Sequence, residues 1–120
     1  MKKLLLLFSL SIAGFSYAQD VLVNENCETL TIGNVSTDLT GANAGQNNWF
    51  TYVSATAAPA GQLSDFQVIN VGGVNGQAFQ LTGSSAATAA TRYLSQDISS
   101  GWTNRTSGND ILKAEYDFFS

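Results

Sequence analysis

Short apolar runs, separated by Gly, Asn, Ser and Thr, divide the chain after its first eighteen residues. No amphipathic stretch there is long enough for a convincing helix, and the 11 glycines of the chain mark turns instead. Strands joined by turns fit this pattern. Candidate strands lie near residues 21–30, 49–54, 66–71, 78–82, 91–98 and 111–119. The sequence therefore predicts an all-β domain, built as an antiparallel β-sandwich.

The last candidate strand has the clearest alternation of apolar and polar side chains. Its apolar positions are Leu112, Ala114, Tyr116 and Phe118, and its polar positions are Lys113, Glu115 and Asp117. This alternation is typical of a half-buried strand with one face toward the core. Because a strand needs a neighbour and six strands are few for two sheets, we expect an incomplete sandwich, a fragment of a longer polypeptide.

The first eighteen residues have the pattern of a secretory signal peptide. Lys2 and Lys3 give a positive start, residues 4–12 are almost wholly apolar, and residues 16–18 form a small-x-small site. Since spanning a bilayer takes roughly 20 apolar residues, about twice this run, cleavage is favoured over a membrane anchor. We expect a short helical leader at 1–18 and a single domain at 19–120 that is secreted, either extracellular or periplasmic.

The composition excludes several functions. Removing Lys2 and Lys3 leaves three basic residues against nine acidic ones, a net charge of −6 that disfavours nucleic acid as a partner. Histidine is absent and Cys27 is the only cysteine, which rules out Ser-His-Asp or Cys-His catalysis and a thiolate or imidazole zinc site. Cys27 lies too far from the cleavage site for a lipid anchor, and its setting predicts a buried small apolar residue.

Two segments carry a resemblance to a known family. Residues 24–33 (NENCETLTIG) and 45–51 (GQNNWFT) resemble the opening of jelly-roll domains in secreted Bacteroidetes proteins. The similarity continues at residues 65–68, 76–81, 97–102 and 115–118, although Cys27 stands where such openings usually have a large aromatic residue. The resemblance implies a concanavalin-like or carbohydrate-binding-module-like sandwich, use outside the cell or at its surface, and often a sorting domain for type IX secretion.

Aromatic side chains are the candidate ligand contacts, because their rings stack on sugar faces. The available rings belong to Trp49, Phe50, Tyr52, Tyr93 and Trp102. Core packing is the default interpretation for each of these rings. Trp49 and Trp102 lie beside predicted turns, so they are the better candidates for exposure and for ligand contact.

Carboxylates offer two further interpretations. Glu115 and Asp117 resemble the E-x-D-x-x-E strand of concanavalin-like glycoside hydrolases, but Ser120 stands at the third acidic position, so we expect no catalytic residues and no enzyme. No cofactor is predicted, while a structural calcium ion, held by separate loops, stays open. Its candidate ligands are Glu25, Glu28, Asp97, Asp110 and Asp117.

The leading hypothesis is a secreted, non-enzymatic β-sandwich module that binds carbohydrate or another cell-surface component. Two alternatives stay open at this point. One is the remnant of a concanavalin-like glycoside hydrolase, and the other is a purely structural surface or adhesin segment.

The leader prediction has a direct test in the mass of the exported protein. We expect cleavage between Ala18 and Gln19, so that the product begins at Gln19 or at its pyroglutamate form. Intact-mass spectrometry of the exported chain measures this. Retention of residues 1–18 would contradict both the predicted compartment and the net charge of −6.

Overall fold

The computed structural model describes residues 19–54, 61–73, 76–84 and 90–118. The predicted leader at 1–18 and its cleavage position after Ala18 therefore lie outside the described residues. The described residues divide into two compact units, one within residues 23–98 and the other formed by residues 19–22 together with 99–118.

The larger unit consists mostly of antiparallel strands. Its described strands are β1 (Gly33–Asn34), β2 (Trp49–Val53), β3 (Phe66–Asn70), β4 (Gln77–Leu81) and β5 (Arg92–Gln96). Two short 3-10 helices, Gln46–Asn48 and Leu63–Asp65, directly precede β2 and β3. The strands form a three-stranded sheet in the order β1-β3-β4 and a two-stranded sheet of β2 and β5. All neighbouring strands are antiparallel. The predicted all-β character is confirmed.

Alternation along the strands decides which side chains are buried. In β3, Phe66 and Val68 are almost fully buried, and in β2 the buried residues are Thr51 and Val53. The buried apolar cluster draws on both sheets and on the segments before them. Its members are Cys27, Leu30, Val35, Val53, Phe66, Val68 and Ala90. The burial of Cys27 agrees with the sequence prediction.

The predicted strand at 21–30 is wrong, because side chains bind the backbone that a strand ladder would need. The Glu25 carboxylate accepts a hydrogen bond from the Cys27 N–H (2.7 Å), and the Asn26 side chain accepts one from Glu28 (3.1 Å). Leu30 donates to the Cys27 carbonyl to close a turn, and Cys27 has a φ of +64°. Such local bonds compete with strand pairing.

The smaller unit contains one regular element among its described residues, the short helix α1 (Ser99–Thr103). The Asp20 carboxylate accepts hydrogen bonds from the Thr106 hydroxyl (3.1 Å) and from the Asn109 side chain (3.0 Å). The predicted strand at 111–119 is wrong for residues 111–118, which form no ladder with any described residue, and residue 119 lies outside the described range. A strand pattern without a neighbour is not sufficient for a strand.

An ion pair joins the two sheets of the larger unit. Arg92 of β5 donates from Nε to the Asp65 carboxylate at 2.9 Å, and Asp65 directly precedes β3. The same carboxylate accepts the Gln62 N–H at 2.7 Å. Burial alone raises the pKa of Asp65, but the hydrogen bonds from Gln62 and Arg92 and the charge of Arg92 outweigh it, so the pKa lies below its ordinary value of 3.8.

Replacing this carboxylate is expected to destabilise the larger unit. Asp65→Asn removes the charge that Arg92 binds, and we expect the free energy of unfolding to fall by roughly 2 kcal/mol at pH 7. Because the folded-state pKa is lowered, the stabilisation is present above the unfolded pKa and is lost as pH falls through the folded value. Denaturant unfolding at pH 7 and at pH 3 measures both effects.

The matched control removes a carboxylate from an exposed ion pair. Glu115 accepts from Lys113 at 2.7 Å, and both side chains are largely exposed, so Glu115→Gln should leave stability unchanged within error. Equal losses in Asp65→Asn and Glu115→Gln, or a loss in Asp65→Asn that does not shrink at low pH, would contradict the stabilising role of Asp65.

Candidate functional site

The outer surface of the β2–β5 sheet carries two exposed tyrosines. Thr51 and Val53 turn toward the core, so the intervening residues of β2 lie on the opposite face. Tyr52 lies directly opposite Tyr93 of β5, and Phe50 lies opposite Ser95. We call Phe50, Tyr52, Tyr93 and Ser95 the tyrosine face. Tyr52 is 41% exposed and Tyr93 is 52% exposed, although apolar ring surface is normally covered.

The two tyrosine rings form one continuous surface. Their centroids are 5.8 Å apart and their planes are inclined by 34°. Cross-strand aromatic pairs of this kind contribute to sheet stability. Part of each ring is nevertheless exposed, and neither hydroxyl group bonds to another residue in the described ranges. The result is a shallow apolar surface with two polar ends. This combination suits a ligand that has both C–H and hydroxyl groups.

A loop lies along the edge of β2 opposite β5 and approaches Tyr52. Gly41 donates to the Thr51 carbonyl at 3.0 Å, and its φ of +74° favours glycine. A Cβ atom at position 41 would lie 3.6 Å from both Cβ and Cδ2 of Tyr52, so the loop passes close to that side chain. The loop therefore limits the space on one side of Tyr52.

One carboxylate organises the loop. Asp38 accepts hydrogen bonds from the backbone N–H groups of Thr40 (3.0 Å), Ala42 (2.8 Å) and Asn43 (2.9 Å), and from the Thr40 hydroxyl (2.7 Å). These bonds, led by the one from the Asn43 backbone, lower the pKa of Asp38 to about 2. The carboxylate is thus ionised and occupied within its own loop.

The tyrosine face itself carries no charge, since its members are phenylalanine, tyrosine and serine. The larger unit has five carboxylates and one basic residue, Arg92, for a net charge of −4. Arg92 is paired with Asp65 and lies on the core side of β5. An anionic ligand would therefore find no cationic side chain on the tyrosine face. It would also be repelled by the net negative charge of the larger unit.

Trp49 is packed into the larger unit. Its ring is half-buried, with its centroid 5.0 Å from that of Phe79 in an edge-on arrangement at 67°. Its Nε1 donates to the Glu25 carboxylate at 3.2 Å. The ring thus joins β2 to β4 and to the segment before β1. Ligand binding through Trp49 stays a prediction, and the contacts assign this ring a packing role.

Trp102 lies in α1 of the smaller unit and is also in contact with a neighbour. The Arg105 guanidinium lies 4.1 Å from the centre of the Trp102 ring, and Arg105 donates to the Trp102 carbonyl at 2.7 Å. One face of the ring is thereby covered by a cation. Ligand binding through Trp102 stays a prediction for its other face.

The sequence prediction favoured the tryptophans and missed the tyrosine pair. Period-two alternation in β2 contained the necessary signal, because burial of Thr51 and Val53 requires Tyr52 to face outward. That Tyr93 would lie opposite Tyr52 depends on the β2–β5 register, which the sequence did not reveal. The candidate site therefore combines one predictable residue with one that only the pairing identifies.

The predicted calcium ligands do not converge within the described residues. Glu25 binds Cys27, and Glu28 accepts the Gln77 N–H at 2.9 Å. Asp110 accepts from Arg105 at 2.6 Å. No group of three or more acidic or cysteine side chains placed to hold a metal ion occurs in the described ranges. A structural calcium ion stays a prediction without a ligand set.

Comparisons with known proteins provide no relative. No protein family, curated protein or solved structure matches this chain. Among the described residues, none of the helices has the length and apolar character needed to cross a membrane.

Proposed function

We propose that the chain is a secreted, non-enzymatic module that binds neutral carbohydrate on the tyrosine face. The exposed pair of Tyr52 and Tyr93 carries this proposal. Sugar rings present C–H groups on their faces and hydroxyl groups around their edges, which match an aromatic surface bordered by phenol hydroxyls. Exposed apolar surface on a folded domain commonly marks a binding site.

Charge supports neutral carbohydrate over uronic or sulfated carbohydrate. Binding an anionic glycan would require basic side chains, which form charge-assisted hydrogen bonds to carboxylates and sulfates. The tyrosine face contains none, and the single arginine of the larger unit is paired with Asp65. A neutral glycan avoids the repulsion from a unit whose net charge is −4.

A jelly-roll sandwich is the fold that we propose for this module. Two antiparallel sheets contribute residues to one buried cluster, and an edge-on aromatic contact links β2 of one sheet to β4 of the other. This arrangement supports a sandwich, in which inward residues fill the core and outward residues are free to bind. The resemblance to secreted Bacteroidetes domains and the leader-like residues 1–18 support export to the cell exterior.

A purely structural surface or adhesin segment is the second candidate. The observation that favours it is the exposed apolar surface of residues 111–118, where Tyr116 is 80% exposed and Phe118 is 75% exposed. A segment of this type contacts other protein chains more readily than sugars. Glycan binding by the tyrosine face distinguishes the two candidates.

Removing either tyrosine ring should weaken glycan binding. Tyr52→Ala and Tyr93→Ala each remove one stacking surface worth about 1 kcal/mol, so we expect affinity to fall roughly fivefold in each variant. Affinity electrophoresis or calorimetry with soluble β-glucan, xylan, mannan and polygalacturonate measures this. The neutral polysaccharides should bind and polygalacturonate should not, and affinity should change little between low and high salt.

Ile32→Ala is the control, because Ile32 is an exposed apolar residue outside the tyrosine face. It should bind the neutral polysaccharides as the unmodified chain does. Unchanged binding in Tyr52→Ala and Tyr93→Ala, or an equal loss in Ile32→Ala, would contradict the proposed site. Failure of the unmodified chain to bind any neutral glycan would contradict the proposed function and favour the structural candidate.

A further inference from the structure

Among the described residues, β5 pairs with β2 on one side and with no strand on the other. Ser54 donates to the Thr91 carbonyl at 3.0 Å, which places the hydrogen-bonded pairs of this ladder at alternate positions, Tyr52 with Tyr93 and Phe50 with Ser95. The backbone N–H and C=O groups of the intervening residues of β5 therefore point away from β2. These residues are Arg92, Leu94 and Gln96, and we call their outward backbone groups the open edge.

The opposite side of the same sheet is covered. Along this edge of β2, Gly45 donates to the Trp49 carbonyl at 2.8 Å and Gly41 donates to the Thr51 carbonyl at 3.0 Å. Val53 donates to the Leu39 carbonyl at 3.0 Å. At the open edge, by contrast, no residue in the described ranges bonds to the outward backbone groups. An edge strand with three consecutive outward positions is a template for another strand.

Residues 111–118 have the side-chain arrangement of a strand that lacks a ladder. The rings of Tyr116 and Phe118, two residues apart, are in contact with centroids 6.4 Å apart. On the alternate positions, Lys113 and Glu115 form an ion pair at 2.7 Å. Contacts between residues two apart on both faces indicate an extended chain with one apolar and one charged side.

We infer that residues 111–118 of one copy add as an antiparallel strand to the open edge of a second copy. Both parts belong to this chain, so a second copy supplies what each of them lacks. The apolar side chains of the added strand would continue the face of the sheet that carries Leu94, which packs against the buried cluster. The charged side chains would lie on the solvent face, beside Ser95.

This orientation fixes which backbone groups form the new ladder. Directly paired residues of an antiparallel ladder have their side chains on the same face. The backbone N–H and C=O groups of Leu94 point to the open edge. The residue that bonds to them has its side chain on the same face as Leu94, so it must occupy an apolar position of the added strand. Ala114 is one such position, with its N–H directed into the ladder. Glu115 is a charged position, with its N–H directed away.

Two neighbouring proline substitutions separate these positions, because proline lacks the N–H group. Ala114→Pro should abolish the association, while Glu115→Pro, with the same ring one residue later, should retain it. The full chain, purified after export, is examined by sedimentation velocity over a hundredfold range of concentration. We expect the unmodified chain to shift from monomer to larger species, Ala114→Pro to remain monomeric, and Glu115→Pro to behave as the unmodified chain.

Near-UV circular dichroism verifies that both variants keep the larger unit folded, since residues 111–118 contribute nothing to its buried cluster. A chain that stays monomeric over the whole range would overturn the inference. So would equal loss of association in both proline variants, or equal retention, because either outcome removes the dependence on backbone direction.

Discussion

The pairing register of β2 with β5 is the constraint on which the rest of the larger unit depends. Thr51 opposite Leu94 places both side chains toward the core, and the next pair, Tyr52 and Tyr93, then faces outward. A slip of one residue would turn every side chain of one strand to the other face. The same register directs the backbone of Leu94 to the open edge, so core, tyrosine face and edge are consequences of one alignment.

The register is held from outside the two strands as well. Glu25 binds the Asn47 side chain (2.7 Å) and the Trp49 indole, so the start of β2 is attached to the segment before β1. Burial alone raises the pKa of Glu25, but the hydrogen bonds led by those from Asn47 and Cys27 lower it below its ordinary value. At the other end of the pairing, Arg92 binds Asp65 next to β3. Polar contacts thus fix both ends of this ladder.

The four longer strands were predictable from the sequence, whereas the two-residue strand β1 (Gly33–Asn34) was not. The predictions at 49–54, 66–71, 78–82 and 91–98 coincide with β2 to β5 within two residues at each end. Residues 111–118 have a stronger alternation than any of these, yet form no strand among the described residues. Alternation shows that a segment has one apolar and one polar face, but it does not show which strand would pair with that segment. The strand predicted at 21–30 failed for a different reason, since the Glu25 and Asn26 side chains take the backbone donors. The tyrosine pair, likewise, is a property of pairing that one strand alone does not contain.

A nuclear Overhauser measurement on the full chain tests the register most directly. In antiparallel pairs without mutual hydrogen bonds the two Hα atoms approach closely, and Thr51 with Leu94 is such a pair. We predict a strong Hα–Hα cross-peak between Thr51 and Leu94, and another between Val53 and Arg92. A strong Hα–Hα cross-peak from Thr51 to Tyr93 or Ser95 instead would mean a shifted register, with Tyr52 and Tyr93 no longer paired on one exposed face, and would contradict the account.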